Sequence, residues 1–445
     1  MPKLSSFQAW RWRVFAATWF CYAGLYFTRK PFFIVKSALG AELGIDASTL
    51  GMLGSAYLIS YTVGQFMSGA AGQWLGARRL LALGMGASII ATIGLGFATS
   101  AIAFGGLMVV NGLGQATGWS GTVGNMAQWF RRNERGRVMG VWATCYQVGG
   151  VGASALAAWV LVHFGYRASF FAGSLVLAAV LAFFLANQAN RPSDRGFADL
   201  PPDSEGDKPD GDAANDGAET VGSASSADVG TDVGQDVDTS ANPGWGRQTW
   251  ISVLLVGGFY FFVKFIRYAL WSWAPFMLAR EFGLRGDDAG YISTIFDVCG
   301  IAGVLLAGWL SDRYFAGRRA KVSLIILLGM VGATGLLAAG GATSLPIFAV
   351  SMGLIGLCLY GPDALMTGAG AMDIGSRRGA ILAAGIINGM GSVGSIVQEI
   401  AIGQIYDSSG SDAEPVLMLL FAASLGAVFF LSIVTLRNRM GLSDA

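Results

Sequence analysis

The 445-residue chain is poor in what soluble enzymes carry in quantity: 13% of its residues are charged, and it holds one histidine and four cysteines. That charged share is about half the quarter usual in water-soluble chains, so most of the surface needs a solvent other than water. A nucleotide-binding loop, metal-ligand spacing and a nucleophile–histidine pair are also missing, so the sequence reads as no enzyme and calls for no cofactor or metal. Cys21, Cys145, Cys299 and Cys358 all fall within apolar runs, where they are expected to be free thiols that pack as small hydrophobic residues. In abundance are apolar residues (53%) and 65 glycines, with a mean hydropathy of +0.54.

A membrane-crossing helix takes ~20 mostly apolar residues, and charged loops divide the chain into twelve such stretches. They run approximately over 14–36, 50–72, 79–98, 101–124, 138–163, 168–187, 249–279, 289–310, 322–341, 345–371, 379–405 and 415–436. These long unbroken runs lack the in-out alternation of barrel strands. The first run is also too long, and too charged at Arg29 and Lys30, for a cleavable signal peptide. An all-α integral membrane protein with twelve transmembrane helices is the expected fold.

Basic residues set the orientation. The N-terminus, the even-numbered loops and the C-terminal tail hold 17 basic residues, while the odd loops hold four, Lys36, Arg167, Arg280 and Arg285. Both termini are therefore expected on the cytoplasmic side. Residues 191–248 carry 13 acidic and 4 basic side chains among Gly, Ser and Ala, too hydrophilic to bury a core. The segment reads as a flexible cytoplasmic linker between two six-helix halves, 1–190 and 249–445.

The halves resemble each other at an offset of about 239 residues, which sets Gly69 opposite Gly308 and Arg29 opposite Arg267. Parallel six-helix repeats about one membrane-normal axis suit rocking-type transport. Ionisable residues inside spans are few and costly, each ~2.5 kcal/mol or more at the bilayer centre unless satisfied. They are Arg29, Lys30, Lys264, Arg267, Asp297, Asp363 and Glu399. Arg29 and Arg267 lie at matching depth, ~21 to 26 Å from their cytoplasmic helix ends. Lys264 is one turn from Arg267 on the same face. Two repeat-related arginines would form a cationic clamp whose ligand is an anion, a dianionic phosphate better than a monocarboxylate. Snorkelling is the alternative, best suited to Lys30 because Pro31 follows and the helix could end there. Asp297 is the expected partner of the cations in the empty site, and Asp363, beside a helix break at Gly361-Pro362, is expected to pair Lys264 or bind a hydroxyl. For Glu399 packing and coupling stay open, His163 is expected at the membrane interface, and Trp10, Trp12, Trp19, Trp74, Trp129 and Trp250 are expected as aromatic-belt anchors.

GWLSDRYFAGRR after span eight is close to a major facilitator superfamily loop motif, of which GAAGQWLGARR after span two is a degraded copy. YFTRKPF, the run GWSGTVGNMAQWFRRNERGRVMGVWATCYQVGG, FIRYALWSWAP and LYGPDALMTGAGAMDIG together resemble the organophosphate:phosphate antiporter family of that superfamily. The resemblance implies the major facilitator fold and exchange of a sugar phosphate or glycerol phosphate for inorganic phosphate. Arg29 and Arg267 would hold the phosphoryl group, with Tyr22, Tyr26, Asp297 and Tyr360 at positions matching the family's. Three positions depart from familiar members: Tyr146 replaces a histidine, Gln65 a lysine and Ser392 a tyrosine, while Lys264 replaces a tyrosine. Phosphate binding is expected to survive with the organic part held differently. Trp119 and Gln115 complete the cavity candidates. The expected partners are the substrate, phosphate and the lipid of an inner, plasma membrane; no nucleic acid is expected, and the chain is read as a monomer. A membrane sugar-phosphate sensor, or a carboxylate or nitrate carrier of the same superfamily, is the alternative.

Overall fold

The computed structural model of the chain describes residues 6–130, 138, 141–142, 144–200, 246–315, 319–366, 371–409 and 412–440. It is helical almost throughout. Helix α1 is Ser6–Leu43. The helical stretch Ala47–Phe97 is bent at Gly76 (φ 72°) into two rods, α2 (47–75) and α3 (77–97). Helix α4 is Ala101–Trp129, and Thr144–Asn187 is likewise bent at Gly165 (φ 82°) into α5 (144–164) and α6 (166–187). After residue 246 come α7 (Arg247–Glu281), α8 (Gly286–Phe315), α9 (Arg319–Gly340), α10 (Leu345–Ala364), α11 (Ala371–Ser408) and α12 (Glu414–Arg439). The positive φ at Gly76 and Gly165 turns the chain back with no loop of its own, a conformation that a Cβ disfavours.

Among the described residues seven helical stretches, with Thr144–Asn187 counted as one, are long and apolar enough to cross a membrane by hydropathy alone, among them Glu414–Arg439 and Ala320–Gly340. Large apolar side chains such as Ile102 (90% exposed) and Leu175 (73%) point outward, as a lipid solvent permits. Polar contacts gather at one end of the bundle near the first helix start: Arg11 Nε donates to Trp129 O, Trp129 Nε1 to Ala189 O, and Arg78 N to the Asn190 side chain. This end is the terminal face, and the opposite end the far face. Trp129 is fully buried by these contacts, so it is a packing residue and not a belt anchor. His163 is at the far-face end of α5, stacked on exposed Trp159, as an interfacial residue would be. The four cysteines are free thiols.

Helices before residue 190 meet those after 246 along α1 with α7 and α8, α2 with α11, and α5 with α8. Hydrogen bonds across this boundary gather towards the far face. The Asp407 carboxylate of α11 accepts from Ala47 N (3.0 Å) and Ser48 N (2.8 Å), and Ser55 Oγ donates to Ile396 O. Asp407 thus caps the start of α2, where exposed N–H groups and the helix dipole favour an anion. Asp46 caps the same end through Thr49 N (2.6 Å), and hydrogen bonds from Thr49 hold its carboxyl below the usual range.

The proposed linker falls mostly on residues 201–245, outside the described residues. Its first ten residues do have structure: Pro192–Arg195 form a short 3₁₀ turn, Arg195 lies 4.1 Å from the Trp10 ring centroid, and Phe197 meets Phe7 edge-on. At the other end, α7 begins at Arg247, two residues before the expected span.

Candidate functional site

Helices α1, α4, α7, α8 and α10 bring the expected residues Arg29, Lys30, Gln115, Lys264, Arg267, Asp297 and Asp363 to a layer at mid-depth, where α11 adds Asn388. On α1, the Arg29 guanidinium lies 4.8 Å from the Tyr26 ring centroid and 5.0 Å from that of Tyr61, positions suited to cation–π attraction. Its Nε donates to Gln115 Oε1 on α4 (3.2 Å). The Gln115 amide nitrogen donates to Leu25 O and Thr28 Oγ1, both at 2.8 Å, which fixes the oxygen towards the guanidinium. Among the described residues no carboxylate lies within 4.0 Å of Arg29.

Across the layer Arg267 Nη1 is 3.1 Å from Asp363 Oδ2 and its guanidinium lies 4.6 Å from the Tyr360 ring centroid. Arg267 keeps 20% of its side chain exposed, against 2% for Asp363. Asp297 takes a looser contact with Lys30 (3.7 Å) and accepts the Tyr360 hydroxyl (2.6 Å). Lys264 Nζ donates to Asn388 Oδ1 on α11 at 2.7 Å. Asp297 links the two sides: it meets Lys30, the neighbour of Arg29 on α1, and accepts the hydroxyl of Tyr360, whose ring lies beside Arg267.

The snorkelling alternative and the expected helix break do not hold. Lys30 does not snorkel: it is buried, with its Nζ 4.2 Å from the Trp271 ring centroid on α7. The reason is that α1 does not end at Pro31 but continues to Leu43. Asp363 stands 3.1 Å from Arg267, and Asp297, as expected, meets a cation of the layer, Lys30, at 3.7 Å. The helix is unbroken at Gly361-Pro362, since α10 runs through Pro362 to Ala364.

Tyr22, Trp119 and Tyr146 stand in a separate aromatic group with Trp142, their ring centroids 5.0 to 6.0 Å apart. Tyr26 joins Tyr22 to the Arg29 site at 6.2 Å. Trp119 Nε1 is buried with no hydrogen-bond partner among the described residues. Gln65 lies in a cleft with Lys264 on the other side of Tyr61.

A second ionic group sits closer to the far face. Lys36, expected in a loop, is fully buried inside α1 because that helix is longer than its apolar run. Its Nζ donates to Glu399 Oε2 on α11 (2.7 Å) and Ser272 Oγ on α7 (2.6 Å), and stands 3.9 Å from the Trp273 ring centroid. Both side chains are 0% exposed. Helix α2 closes over the pair at Gly54, where an added Cβ would stand 2.7 Å from Glu399 Oε2. Glu399 is thus part of an inter-helix contact. Lys36, Asn388, Tyr61 and Trp271 were not among the expected site residues. A lysine seven residues before the helix end and an asparagine inside an apolar span were the available signals.

A profile of the Major Facilitator Superfamily matches residues 18–277 and again 256–441. Sugar phosphate exchanger 3 of Gallus gallus is 30% identical over 89% of this chain and 87% of its own. The membrane sensor protein UhpC of Escherichia coli is 26% identical over 90% of this chain and 87% of its own. A solved bacterial homologue of the human lysosomal transporter Spinster, inward-facing and unoccupied, superposes with a TM-score of 0.70 at 14% identity, covering 98% of this chain and 99% of the other, which shows the fold. The chain is a multi-pass membrane protein of the major facilitator superfamily and belongs to its organophosphate:phosphate antiporter family.

Proposed function

We propose that the chain is a secondary active transporter that exchanges a sugar phosphate or glycerol phosphate for inorganic phosphate, in an inner membrane with both termini cytoplasmic. The observation that carries this reading is Arg29, a cation in the apolar part of α1 with no carboxylate within 4.0 Å among the described residues, linked to the Arg267 side through Lys30, Asp297 and Tyr360. Among the described residues the layer holds four cations, Arg29, Lys30, Lys264 and Arg267, against two carboxylates, Asp297 and Asp363. A surplus of two positive charges matches a phosphate or phosphate-ester dianion.

In this mechanism residues 1–190 and 249–445 move as two bodies about the layer. The anion takes its phosphoryl oxygens to both guanidinium groups, each giving charge-assisted, paired hydrogen bonds. It displaces Asp363 from Arg267 and draws the two bodies together at mid-depth. The Lys36–Glu399 pair, with Asp407 on the start of α2, holds the far face shut while the layer is loaded from the terminal face. Bridging by the anion supplies the free energy to open one face as the other closes. Without an anion, Arg29 and Arg267 repel and the return step is slow, so flux requires exchange.

The test is uptake of labelled phosphate into proteoliposomes preloaded with glucose 6-phosphate, triose phosphate or glycerol 3-phosphate. Exchange with one of these supports the antiporter and names its ester. Folded protein that binds esters and exchanges none would favour a sensor, the reading to which the likeness to UhpC points.

A further inference from the structure

Each arginine of the layer is held by the fourth helix of its own half, but by partners of different charge. Asp363 of α10 meets Arg267 with a carboxylate, whereas Gln115 of α4 meets Arg29 Nε with an amide oxygen at 3.2 Å. Gln115 is buried, as are its neighbours Thr28 and Asn111. Helix α4 comes close to α1 at Gly118, where an added Cβ would stand 2.6 Å from Leu25 Cδ1.

The direction of the Gln115 amide follows from what surrounds it. A backbone carbonyl can only accept, so the end that faces Leu25 O at 2.8 Å is the NH₂ group. The same nitrogen donates to Thr28 Oγ1 (2.8 Å), and that hydroxyl donates on to Leu25 O (3.1 Å). Asn111 Nδ2 ties Thr28 O to α4 at 2.9 Å. With its nitrogen fixed on α1 in this way, the amide presents its oxygen to Arg29. The contact takes the guanidinium at Nε, which leaves the two Nη groups as the paired donors for an anion. A carboxylate in the same place would hold the guanidinium and offset its charge. An amide holds it and leaves the charge whole.

We infer that Gln115 is a positioning residue with two effects: it aims the Nη edge of Arg29 at the anion, and by being neutral it preserves the layer's surplus of two positive charges, which selects a dianion over a monoanion. This rests on the proposed grip of Arg29 and Arg267 on the phosphoryl group.

The experiment is binding of labelled inorganic phosphate to the purified full-length protein across the second ionisation of phosphate, with the melting temperature as the check on folding. In the unaltered protein, affinity should rise as the dianion replaces the monoanion. Gln115→Glu keeps the shape of the side chain, and beside Arg29 its carboxylate stays ionised, so the surplus falls to one and the rise should vanish. The other titratable groups of the layer, Lys30, Lys264, Asp297, Asp363 and the tyrosines, are common to both proteins, so the comparison isolates position 115. Gln115→Met, uncharged and of similar length, should keep the rise but weaken phosphate about tenfold, the worth of a hydrogen bond to a charged group; it carries the test alone should the Glu variant not fold. The rise retained in Gln115→Glu, or unchanged phosphate affinity in Gln115→Met, overturns the inference alone and leaves Gln115 a packing residue. Failure of the folded, unaltered protein to bind phosphate overturns the arginine clamp, and this inference with it.

Discussion

The chain carries two ionic groups on α1, six residues or ~9 Å of helix apart, that differ in how tightly their charges pair and how far they are exposed. At the far-face group, Lys36 and Glu399 are dry, 2.7 Å apart and 0% exposed. At the mid-depth layer, the Lys30–Asp297 contact is 3.7 Å, Asp297 is 18% and Arg267 20% exposed, and Arg29 has no carboxylate within 4.0 Å among the described residues. A charge pair taken fully out of water needs tight geometry to offset its desolvation, and it then makes a rigid contact that is costly to break. Arg267, although 3.1 Å from Asp363, keeps a fifth of its side chain exposed, so a competing anion can reach it. The difference separates a contact that holds helices together from one that holds a place for a ligand.

This comparison can be broken from either side. The largest effect is expected at the layer: Arg267→Lys should lower phosphate exchange about a hundredfold, because a point charge cannot give the paired hydrogen bonds of a guanidinium. Exchange rates in proteoliposomes, with reconstituted protein quantified, check this. At the far face, Glu399→Gln leaves Lys36 a buried cation without its counter-charge, at a cost of about 3–5 kcal/mol to the closed state. Thiol labelling of a Ser55→Cys probe should then rise. The double variant Lys36→Met, Glu399→Leu should recover thermal stability, since no buried charge is left unpaired.

Asp363→Asn sharpens the contrast at smaller scale. Removing the resident carboxylate should tighten phosphate binding about tenfold, because the anion no longer competes with it for Arg267. A lowered apparent KM with slower turnover would show this, whereas weaker binding would make Asp363 a positioning residue for the arginine. The smallest effect is expected from deleting residues 201–240, which should leave exchange within about twofold if the segment is only a flexible tether. Transport by well-expressed protein lacking it is the check.

Much of the fold was legible because the bilayer imposes one length and one composition on every span. The turns at Gly76 and Gly165 fall in the short gaps between the expected spans, at 72–79 and 163–168. Helix ends were the weak point. The first span was expected to end at residue 36, yet α1 runs on to Leu43, so a lysine that seemed to lie in a loop is inside the protein. In the site, residue types and depths could be read from the chain, since a charge in an apolar span is conspicuous. Pairing could not. Whether Asp363 meets Arg267 depends on the rotation of α10 against α7, which no hydropathy pattern encodes, and Asn388, polar but uncharged, shows its place only through its contact with Lys264.

The central claim is that the layer with its surplus of positive charge needs an anion to cross the membrane. Uptake of labelled phosphate into proteoliposomes with and without internal phosphate tests it most directly. The account predicts rapid uptake into phosphate-loaded vesicles and little into vesicles containing no transportable anion. Equal uptake into both would contradict it, because the empty carrier would then reorient freely despite Arg29 and Arg267.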